Sequence, residues 1–589
     1  MNPDKITQVI ETKVHSAIPK LPFKLNNLVA YLMNKLLHVD EVIAELKRGQ
    51  NLKNFEMIDE IFESLKFSYS LTHKDKLKIP AEGKLIIVSN HPLGGLDGLA
   101  LLRSIGEIRS DVKIVANDVL LNLENLSDLF LPFDVFNRRT QLNSIVNIQK
   151  AIQRDEAVIF FPAGEVSRLS LQGIKDGKWT KGAVKLAQKL NTPILPVYTK
   201  ARNSILFYII SLLKKSFSTL LLPHELFSKR NTNIAIKIGD PIPADVFSSK
   251  ILSPRELTNL LKKHVYTLPK KKKKIFRTEK NIIHPVDSKK IYQELRESKL
   301  LGHTFDGKRI YLVDAPQAEN VMKEISRLRE ITFRKVGEGT GKKSDIDRYD
   351  AFYKHIVLWD DNNLDIVGSY RIGITSEIIE KFGKEGLYNA EQFKLNPIFD
   401  ESLTCSIELG RSFVQEKYWR SNALDYLWQG IGALLIEYPD IRYLFGAVSI
   451  SNSYTEKAKS LIVYYYKKWY DSDKNYAKAI NEYHLTSKLE EEAEQLLNAD
   501  FIEQDFRTLR TALKNYGFTI PVLLRRYVDI CEYGGVKFIG FGVDKNFSDS
   551  IDCLIQLDLH KIKKEKKERY IDRNFLKTTK NIAFEKNVN

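Results

Sequence analysis

In the first half of the chain, short apolar runs that end in polar or glycine-containing turns alternate with stretches of helical periodicity. Runs typical of strands stand at residues 85–88, 157–159, 192–198 and 233–239. Helical patterns of about ten residues lie between them. Strands that alternate with helices are typical of βαβ units. The pattern therefore predicts an α/β domain over residues 76–267.

The segments outside this domain differ from it in composition. Apolar residues recur at helical spacing in residues 1–75, which predicts a helical lead-in that packs on the domain, docks on lipid or lines an acyl channel. Five consecutive lysines follow a proline in residues 268–284, which predicts a basic linker that is solvated or contacts lipid headgroups. Residues 560–589 are predicted to form a mobile basic tail.

A second α/β unit is predicted over residues 285–559. Its pattern begins with a helix, passes a glycine-rich turn and an aspartate-rich loop, and continues into strands at 365–374 and 406–414. A further helix is predicted to begin near residue 429, where free backbone N–H groups could hold an anion. The fold class is therefore α/β with two domains, the first preceded by helices.

The chain has 589 residues, which favours more than one core, and a formal net charge of +17. This charge suits an acidic partner, either an anionic membrane or an acidic protein. No stacking aromatic residues interleave with the lysine run, so nucleic acid is not expected to be a partner. Three widely spaced cysteines give no disulfide framework and no zinc-ligand spacing, which indicates a reducing compartment.

No apolar run has the length that predicts a transmembrane helix, and the first residues carry charges where a secretory signal is apolar. The best apolar run, at residues 204–213, is followed by Lys214 and Lys215. This pattern fits a helix that lies on a membrane surface and equally fits an ordinary buried helix. We expect a cytoplasmic protein that is peripheral at the inner face of the membrane.

The turn after the run at 85–88 carries the first candidate chemistry. His91 follows the predicted strand, Asp97 comes a few residues later, and Gly94 and Gly95 let the chain turn back between them. A histidine held by a carboxylate is a general base for a hydroxyl group. A surface turn without function is the alternative for a lone pair of this kind.

Three ordered motifs give this half a resemblance to a known family. Asn90-His91 with Asp97, the segment 160–168 (FFPAGEVSR) and the segment 192–198 (TPILPVY) resemble the glycerolipid, or lysophosphatidic acid-type, acyltransferases. The resemblance implies O-acyl transfer without a metal, with His91 as the base and Asp97 as the group that holds it. The substrate-binding residues that it implies are Asn90, Arg138, Arg139, Gly164, Glu165, Ser167 and Arg168.

The sequence departs from this family in two places. Five residues rather than four separate His91 from Asp97, and we expect an extra glycine to absorb the difference. Ala163 stands where the family has a glutamate, and Glu165 follows the motif glycine instead. Since this motif helps to hold a phosphate in the family, the departure implies an acceptor that offers a carboxylate to one of the arginines.

The second half resembles the GNAT-like N-acyltransferases that use acyl carrier protein as donor. These are the acyl-homoserine lactone synthases and, more closely, the enzymes that make lyso-ornithine lipid; His355 belongs to the match. Glu408 is the best candidate for the base that takes a proton from the amine, because it lies on a predicted strand beside the predicted cofactor turn. The turn at Gln429, Gly430 and Gly432 could hold the phosphopantetheine arm or polarise the thioester carbonyl with its backbone N–H groups. The substrate-binding residues that the resemblance implies are Arg329, Phe333, Asp347, Asp350, Arg371 and Arg411.

Several of these roles have a structural alternative. Glu408 could pair with Arg411, and the glycines near residue 430 could serve close packing. Arg138 and Arg139 could equally lie in a solvated loop. Asp347 and Asp350 could hold a cationic amino-acid side chain or could cap a helix. No metal-ligand cluster is found in the sequence, and no cofactor is expected besides the thioester of acyl carrier protein.

Together the two resemblances imply a bifunctional ornithine lipid synthase, an enzyme that makes a phosphorus-free amino-acid lipid. The second half would N-acylate the α-amine of ornithine, or of glycine as second choice, with a 3-hydroxyacyl group from acyl carrier protein. The first half would then O-acylate the new 3-hydroxyl. The expected partners are acyl carrier protein, an anionic membrane surface and the amino acid. The alternatives are a 1-acylglycerol-3-phosphate acyltransferase with an inactive second domain and a non-catalytic membrane-surface binding protein.

Overall fold

The chain forms two compact units, Met1–His284 and Pro285–Asn589. The computed structural model describes residues 38, 41, 44, 48–116, 124–133, 138–170, 173–213, 221–248, 251–270 and 274–571, of which 138–140, 213 and 223 are described without side chains. Most of the predicted lead-in and the last part of the predicted tail lie outside the described residues. No helix within the described ranges is long and apolar enough to cross a membrane.

The first unit is built on a seven-stranded sheet. The strands of this unit are β1 Ser68–Ser70, β2 Leu85–Ser89, β3 Val112–Ala116, β4 Phe130–Pro132, β5 Ala157–Phe160, β6 Arg168–Ser170, β7 Gly173–Lys175, β8 Ile194–Lys200 and β9 Asn233–Ile238. The sheet order is β1-β9-β8-β2-β5-β3-β4, with all pairs parallel except β8 and β9, while β6 and β7 form a separate hairpin.

Helices cover both faces of this sheet. They are α1 Asn54–Ser64, α2 His73–Lys76, α3 Gly95–Gly106, α4 Arg138–Gln153, α5 Gly182–Leu190, α6 Ile205–Leu213, α7 Leu222–Ser228 and α8 Pro254–Thr267. Leu85 and Ile87 of β2 pack with α1 and α3, while Ile86 and Val88 pack with α4, α5 and α8 on the other face. A strand that is buried on both faces has a continuous apolar sequence, and the apolar run at residues 85–88 predicted β2 for this reason.

Two segments of the first unit differ from the predictions. Ser68–Ser70, inside the predicted helical lead-in, pairs with β9 at the sheet edge. The alternation of Phe67, Tyr69 and Leu71 with the two serines is a strand signal that the prediction missed. Residues 274–284 were predicted as part of a basic linker, but they pack on the unit. Phe276 is 8% exposed and contacts the rings of Phe247 and His264, and the Asn281 amide donates to two carbonyl groups near residue 78 over 2.9 and 3.0 Å.

The second unit is built on an eight-stranded sheet. Its strands are β10 Lys299–His303, β11 Arg309–Asp314, β12 Lys354–Asp360, β13 Asp365–Ile374, β14 Phe393–Leu395, β15 Ser406–Val414, β16 Tyr443–Ile450, β17 Ala477–Ala479, β18 Val536–Asp544 and β19 Ser550–Asp558. The order is β10-β11-β12-β13-β15-β16-β19-β18, while β14 and β17 pair separately. All neighbours in the large sheet are antiparallel except β15 and β16.

The helices of this unit bury one face of the sheet in an apolar core. They are α9 Ser288–Glu297, α10 Glu319–Val336, α11 Thr375–Phe382, α12 Asp400–Leu403, α13 Ala423–Glu437, α14 Glu456–Tyr470, α15 Ser487–Leu496, α16 Ile502–Asn515, α17 Val522–Ile530 and α18 Lys564–Tyr570. Helices α13 and α14 supply much of this core. Helix α10 and the loops after it cover the opposite face, which carries many buried polar side chains.

The first part of the predicted mobile tail is an ordered helix. Tyr570 of α18 is 6% exposed, and its hydroxyl donates to Asp425 of α13 over 2.8 Å. Arg569 donates to the same carboxylate over 2.7 Å. The sequence of this segment has few large apolar residues, so it did not predict the packing. The segment is held by one buried tyrosine and by an aspartate of α13 that binds two of its residues.

Candidate active sites

The loop after β2 holds a histidine and an aspartate in hydrogen-bond contact. Nδ1 of His91 lies 3.1 Å from Oδ2 of Asp97, which is in the first turn of α3. The backbone N–H groups of Leu93 and Gly98 donate to the same carboxylate over 3.1 and 3.0 Å. Asp97 is fully buried, whereas 17% of the His91 side chain is exposed. The carboxylate is fixed and holds the imidazole with its proton on Nδ1.

Nε2 of His91 is the ring atom that remains for a substrate. Among the described residues, none forms a hydrogen bond with it. Burial disfavours the charged ring, but the carboxylates of Asp97 and Asp176 outweigh burial and raise the pKa of His91. In its neutral form, an imidazole oriented in this way can take a proton from a hydroxyl group.

Gly94 explains how Asp97 reaches His91 across five intervening residues. The φ angle of Gly94 is +98°, which L side chains rarely adopt, so a glycine is needed where the chain turns into α3. A Cβ at this position would also lie 3.3 Å from the side chain of Val166. The turn accommodates the extra residue, as the sequence predicted.

Asp176 ties the histidine loop to the second motif. Its Oδ1 accepts from the backbone N–H of His91 over 3.2 Å and from the Ser167 hydroxyl over 2.5 Å, and its Oδ2 accepts from Trp179 over 2.8 Å. Phe161 of the second motif stacks on the His91 ring, with the centroids 3.9 Å apart. No motif or strand end marks Asp176 in the sequence, so its positioning role was missed.

Three predicted substrate-binding residues of the first site, Asn90, Glu165 and Arg168, have protein partners. The Asn90 amide donates to and accepts from the backbone of Thr199 over 2.9 and 2.8 Å, so it joins β2 to β8. Arg168 forms an ion pair with Glu165 at 3.0 Å and donates to Ser211 of α6 over 2.6 Å. Their roles toward a substrate stay predictions.

Of the remaining residues of this set, Gly164 and Ser167 stabilise the motif turn, and Arg138 and Arg139 are described without side chains. Gly164 has a φ angle of +66° and donates its N–H to Phe161 over 3.0 Å, which closes the motif turn. Ser167 donates its N–H to the carbonyl of His91 over 2.7 Å. Arg138 and Arg139 begin α4, and their side chains lie outside the described part of the chain.

In the second unit, Glu408 of β15 is enclosed by donors. The Tyr353 hydroxyl donates to it, as do the N–H groups of Tyr388 and Asn389 over 3.2 and 2.7 Å and the Asn389 amide over 2.5 Å. Burial raises the pKa of Glu408, although these donors favour its charged form. Glu408 therefore does not pair with Arg411, and its role as a base stays a prediction.

Asp347 and Asp350, predicted to hold a cationic side chain, are instead paired with buried arginines. Arg371 donates to Asp347 over 2.6 Å, and Arg329 donates to Asp350 over 2.7 Å. The two aspartates also cap the short helical turn Arg348–Ala351 through reciprocal hydrogen bonds. Burial would raise the pKa of both carboxyls, but the arginines lower it. Their charges are already neutralised, so a second role in binding a cation is not supported.

Two further residues of the resemblance are packed inside the second unit. Nδ1 of His355 lies 3.2 Å from Nη2 of Arg329, and burial together with this guanidinium lowers the pKa of His355 to about 3. Phe333 contacts the ring of Phe547, with the centroids 5.0 Å apart. His355 is therefore a neutral acceptor, and Phe333 is a core residue.

Arg411 lies where β15 bulges against β13. Its φ angle of +47° is unusual for a side-chain-bearing residue, and such strained positions occur at functional sites. The guanidinium lies over the rings of Tyr388 and Phe547 at 5.2 and 5.1 Å. Its two terminal nitrogens lie 3.5 Å from Asp345 and Asp347.

Gln429, Gly430 and Gly432 do not begin a helix, which corrects the predicted cofactor site. They lie in the middle of α13, where the backbone N–H groups are used within the helix. A Cβ on Gly430 would lie 2.6 Å from Ile356, and a Cβ on Gly432 would lie 1.7 Å from the Tyr570 carbonyl oxygen. The glycines serve close packing. The residues before them continue the helical period, so the helix starts earlier than predicted.

A gap in the pairing of β15 and β16 begins beside Glu408. Strands β15 and β16 pair only from Ser406 to Glu408 on one side and from Tyr443 to Phe445 on the other. Beyond these residues, within the described second unit, each strand pairs only with its outer neighbour. The two facing edges carry peptide groups that an extended chain with amide groups, such as a phosphopantetheine arm, can bind.

Three buried carboxylates near this gap were not predicted. Glu338 follows α10, Asp544 ends β18, and Asp552 lies on β19. Asp552 interacts electrostatically with the other two and with Arg411. Asp544 and Asp552 belong to the β18–β19 hairpin, whereas Glu338 belongs to a distant segment, so no spacing in the sequence connects Glu338 with the other two.

The folds and the two sites define an acyltransferase with two catalytic domains. A family model described as acyltransferase matches residues 12–273, and one described as acetyltransferase (GNAT) domain matches residues 328–429. The chain belongs to the acyltransferases and is an enzyme of acyl transfer with an O-acyltransferase domain and an N-acyltransferase domain. The α/β fold class and the resemblance to bifunctional amino-acid lipid synthases are confirmed.

Two relatives are similar to this chain over nearly their whole length. A glycine N(alpha)-acyltransferase from Phocaeicola vulgatus is 32% identical over 304 residues, which cover 49% of this chain and 92% of the relative. A lyso-glycine lipid O-acyltransferase from Bacteroides thetaiotaomicron is 30% identical over 272 residues, which cover 45% of this chain and 96% of the relative.

Proposed function

We propose that the chain makes a diacylated amino-acid lipid in two successive acyl transfers. The second unit transfers a 3-hydroxyacyl group to the α-amine of glycine, and the first unit acylates the 3-hydroxyl of that product. The observation that carries the proposal is that one chain holds both domains, and its relatives are named for an N-acylation and an O-acylation of one kind of lipid.

The acceptor is proposed to be glycine rather than ornithine, which was the first choice from the sequence. Ornithine carries a second ammonium group that needs a carboxylate partner. Asp347 and Asp350, which were predicted to supply it, are neutralised by Arg371 and Arg329. The names of the relatives also favour glycine.

The donor is proposed to be a thioester of acyl carrier protein, with no further cofactor. The gap between β15 and β16 suits a phosphopantetheine arm, which acyl carrier protein and coenzyme A share. The net charge of +17 suits docking of an acidic carrier protein. Transfer assays with acyl carrier protein and with coenzyme A thioesters of the same acyl group separate the two donors.

In the proposed O-acyl transfer, Nε2 of His91 takes the proton of the lyso-lipid hydroxyl. The oxygen forms a bond to the thioester carbonyl carbon, the C–S bond breaks, and the thiolate leaves with the proton that His91 returns. Asp97 keeps the ring oriented and stabilises its positive charge during the transfer. Asp176 and Ser167 hold the histidine backbone in place.

The test is lipid extraction from bacteria that express the wild-type chain, followed by mass spectrometry. The expected result is a glycine lipid with one amide-linked and one ester-linked acyl chain, absent from cells with an empty vector. An ornithine lipid instead would correct the acceptor only. A rise in phosphatidic acid without any amino-acid lipid would contradict the proposal and favour a 1-acylglycerol-3-phosphate acyltransferase.

We further propose that α6 docks the first unit on the membrane. Ile205, Ile209 and Leu212 lie on one side of this helix and are 79%, 53% and 66% exposed, and the sequence continues with Lys214 and Lys215. Apolar side chains flanked by lysines fit an anionic bilayer surface. Ser211 of the same helix contacts Arg168, so the lipid surface would lie near the predicted acceptor site.

Replacing both Ile209 and Leu212 by glutamate is expected to weaken binding to phosphatidylglycerol-containing vesicles by about tenfold or more, because each apolar side chain loses about 1.5–3 kcal/mol on leaving the bilayer. Vesicle co-sedimentation measures the effect. The matched control is Ile251→Glu, which changes another isoleucine of the first unit that is 91% exposed. Equal binding of the double variant and the control would contradict membrane docking through α6.

A further inference from the structure

Asp552 lies one strand away from the gap where the acyl donor is proposed to bind. On β19 it stands directly opposite Ser449 of β16, one of the two strands whose pairing ends at the gap. Ser449 lies beyond Phe445, the last residue of β16 that pairs with β15. Directly opposed residues of antiparallel strands share one face of the sheet. Asp552 therefore lies near the gap on the polar face, which also carries Glu408.

The Asp552 carboxylate lacks a hydrogen-bond partner although it is buried. The residue is 5% exposed, and among the described residues none donates a hydrogen bond to its side chain. Burial and the charges of Asp544 and Glu338 raise its pKa, and Arg411 opposes them. Burial raises the pKa of Glu338 to about 7 as well. The charged form of this carboxyl is unfavourable in the protein alone, and a cationic ligand that donates a hydrogen bond to it would stabilise that form.

Arg411 has a hydrogen-bond donor that lacks an acceptor in the described part of the chain. Its Nε is buried and has no hydrogen-bond partner among the described residues. Arg411 and Asp552 attract each other electrostatically, but they form no ion pair within the described second unit. Within the described ranges, a guanidinium with one buried N–H that has no acceptor and a carboxyl group that has no donor thus interact electrostatically without forming an ion pair. A small molecule that carries both charges can bridge them.

We infer that Asp552 and Arg411 bind the acceptor as a zwitterionic α-amino acid, with the ammonium on Asp552 and the carboxylate on Nε of Arg411. This inference rests on the proposed N-acyl transfer by the second unit. It assigns Asp552, which no motif predicted, to the acceptor site. It also predicts that the substrate needs a free carboxylate.

The proposed arrangement accounts for the protons of the reaction. The ammonium gives one proton to the Asp552 carboxylate and becomes a neutral amine. The amine nitrogen forms a bond to the thioester carbonyl carbon, and the C–S bond breaks. The departing thiolate takes the second proton from the nitrogen, which leaves an amide and a thiol. Asp552 returns its proton to solvent, and the acceptor carboxylate stays unreacted.

Binding of free glycine to the full-length protein tests the site without turnover. Isothermal titration calorimetry is expected to show glycine binding to wild type and binding about 10- to 100-fold weaker to Asp552→Asn, because one hydrogen bond between charged groups is lost. Glycinamide, which lacks the carboxylate, is expected to bind wild type with a similar loss. The matched control Asp558→Asn changes an aspartate of the same strand that pairs with Arg442.

Acylation assays on the same proteins separate this inference from the proposed function. Asp552→Asn is expected to lower kcat/KM for glycine while the KM of the thioester donor stays unchanged. If wild type binds glycine but does not acylate it, the proposed function fails and the zwitterion site stands. If Asp552→Asn acylates and binds glycine as wild type does, the site is wrong and the function stands. If the variant does not fold, equal binding of glycinamide and glycine to wild type would overturn the inference.

Discussion

His91→Ala is expected to lower O-acyl transfer by about 10²- to 10⁴-fold, because the variant has no group in place of Nε2 to take the hydroxyl proton. The N-acyl transfer of the second unit does not use this residue. Cells that express the variant should therefore accumulate the mono-acylated amino-acid lipid and make little of the diacylated product. Mass spectrometry of extracted lipids and an assay with purified protein and supplied lyso-lipid measure both effects.

Two further variants sharpen this experiment. Asp97→Asn keeps the size of the side chain but cannot hold the ring in the same tautomer, so a loss close to that of His91→Ala is expected. His73→Ala changes an exposed histidine of the same unit and should behave as wild type. Unchanged diacylation in His91→Ala would show that the base lies elsewhere.

The pH dependence of O-acyl transfer follows from the same contact. His91 acts in its neutral form, so the rate falls as the pH drops through the pKa of the folded enzyme. Asp97 and Asp176 raise this pKa against the effect of burial, so the acid limb should lie above the ordinary imidazole value of about 6.5. In Asp97→Asn the limb should move to lower pH, because one of these carboxylates is removed.

Sequence patterns predicted the first unit more completely than the second. The strands β2, β5 and β8 are buried on both faces, so each reads as an apolar run that ends where the site begins. His91 and Asp97 are close in sequence, and a turn is enough to bring them together. Asp176 was missed because its contact with His91 joins residues 85 positions apart, and β1 was missed because it is short and pairs with the distant strand β9.

In the second unit, the roles of polar residues depend on contacts that sequence spacing does not encode. Asp347 and Asp350 looked available for a cation, but Arg371 and Arg329 reach them from other elements. Gly432 looked like part of a cofactor turn, but it makes room for the carbonyl of Tyr570 from the tail. Such pairings form only when the sheet and its helices are assembled.

Glu408→Gln is expected to lower N-acyl transfer by about 100-fold or more, whether the carboxylate acts as a base or positions its neighbours. Four donors from Tyr353, Tyr388 and Asn389 point at its oxygens. A glutamine places an N–H₂ group among these donors, and each buried donor left without an acceptor costs about 1–3 kcal/mol. The segment at Tyr388 and Asn389, which lies beside Arg411, would shift.

Assays of both transfers on the same purified protein distinguish a specific loss of N-acyl transfer from a general loss of activity. O-acyl transfer to supplied lyso-lipid should stay at the wild-type rate in Glu408→Gln, while cells expressing it should make neither amino-acid lipid. Glu324→Gln, a buried glutamate of the same unit that pairs with Arg327, controls for a general loss of stability. Tyr353→Phe removes only one of the four donors and should lose less activity than Glu408→Gln. If Glu408→Gln instead N-acylates at nearly the wild-type rate, Glu408 is not required. Asp552 would then be the carboxylate near the gap on which the reaction depends.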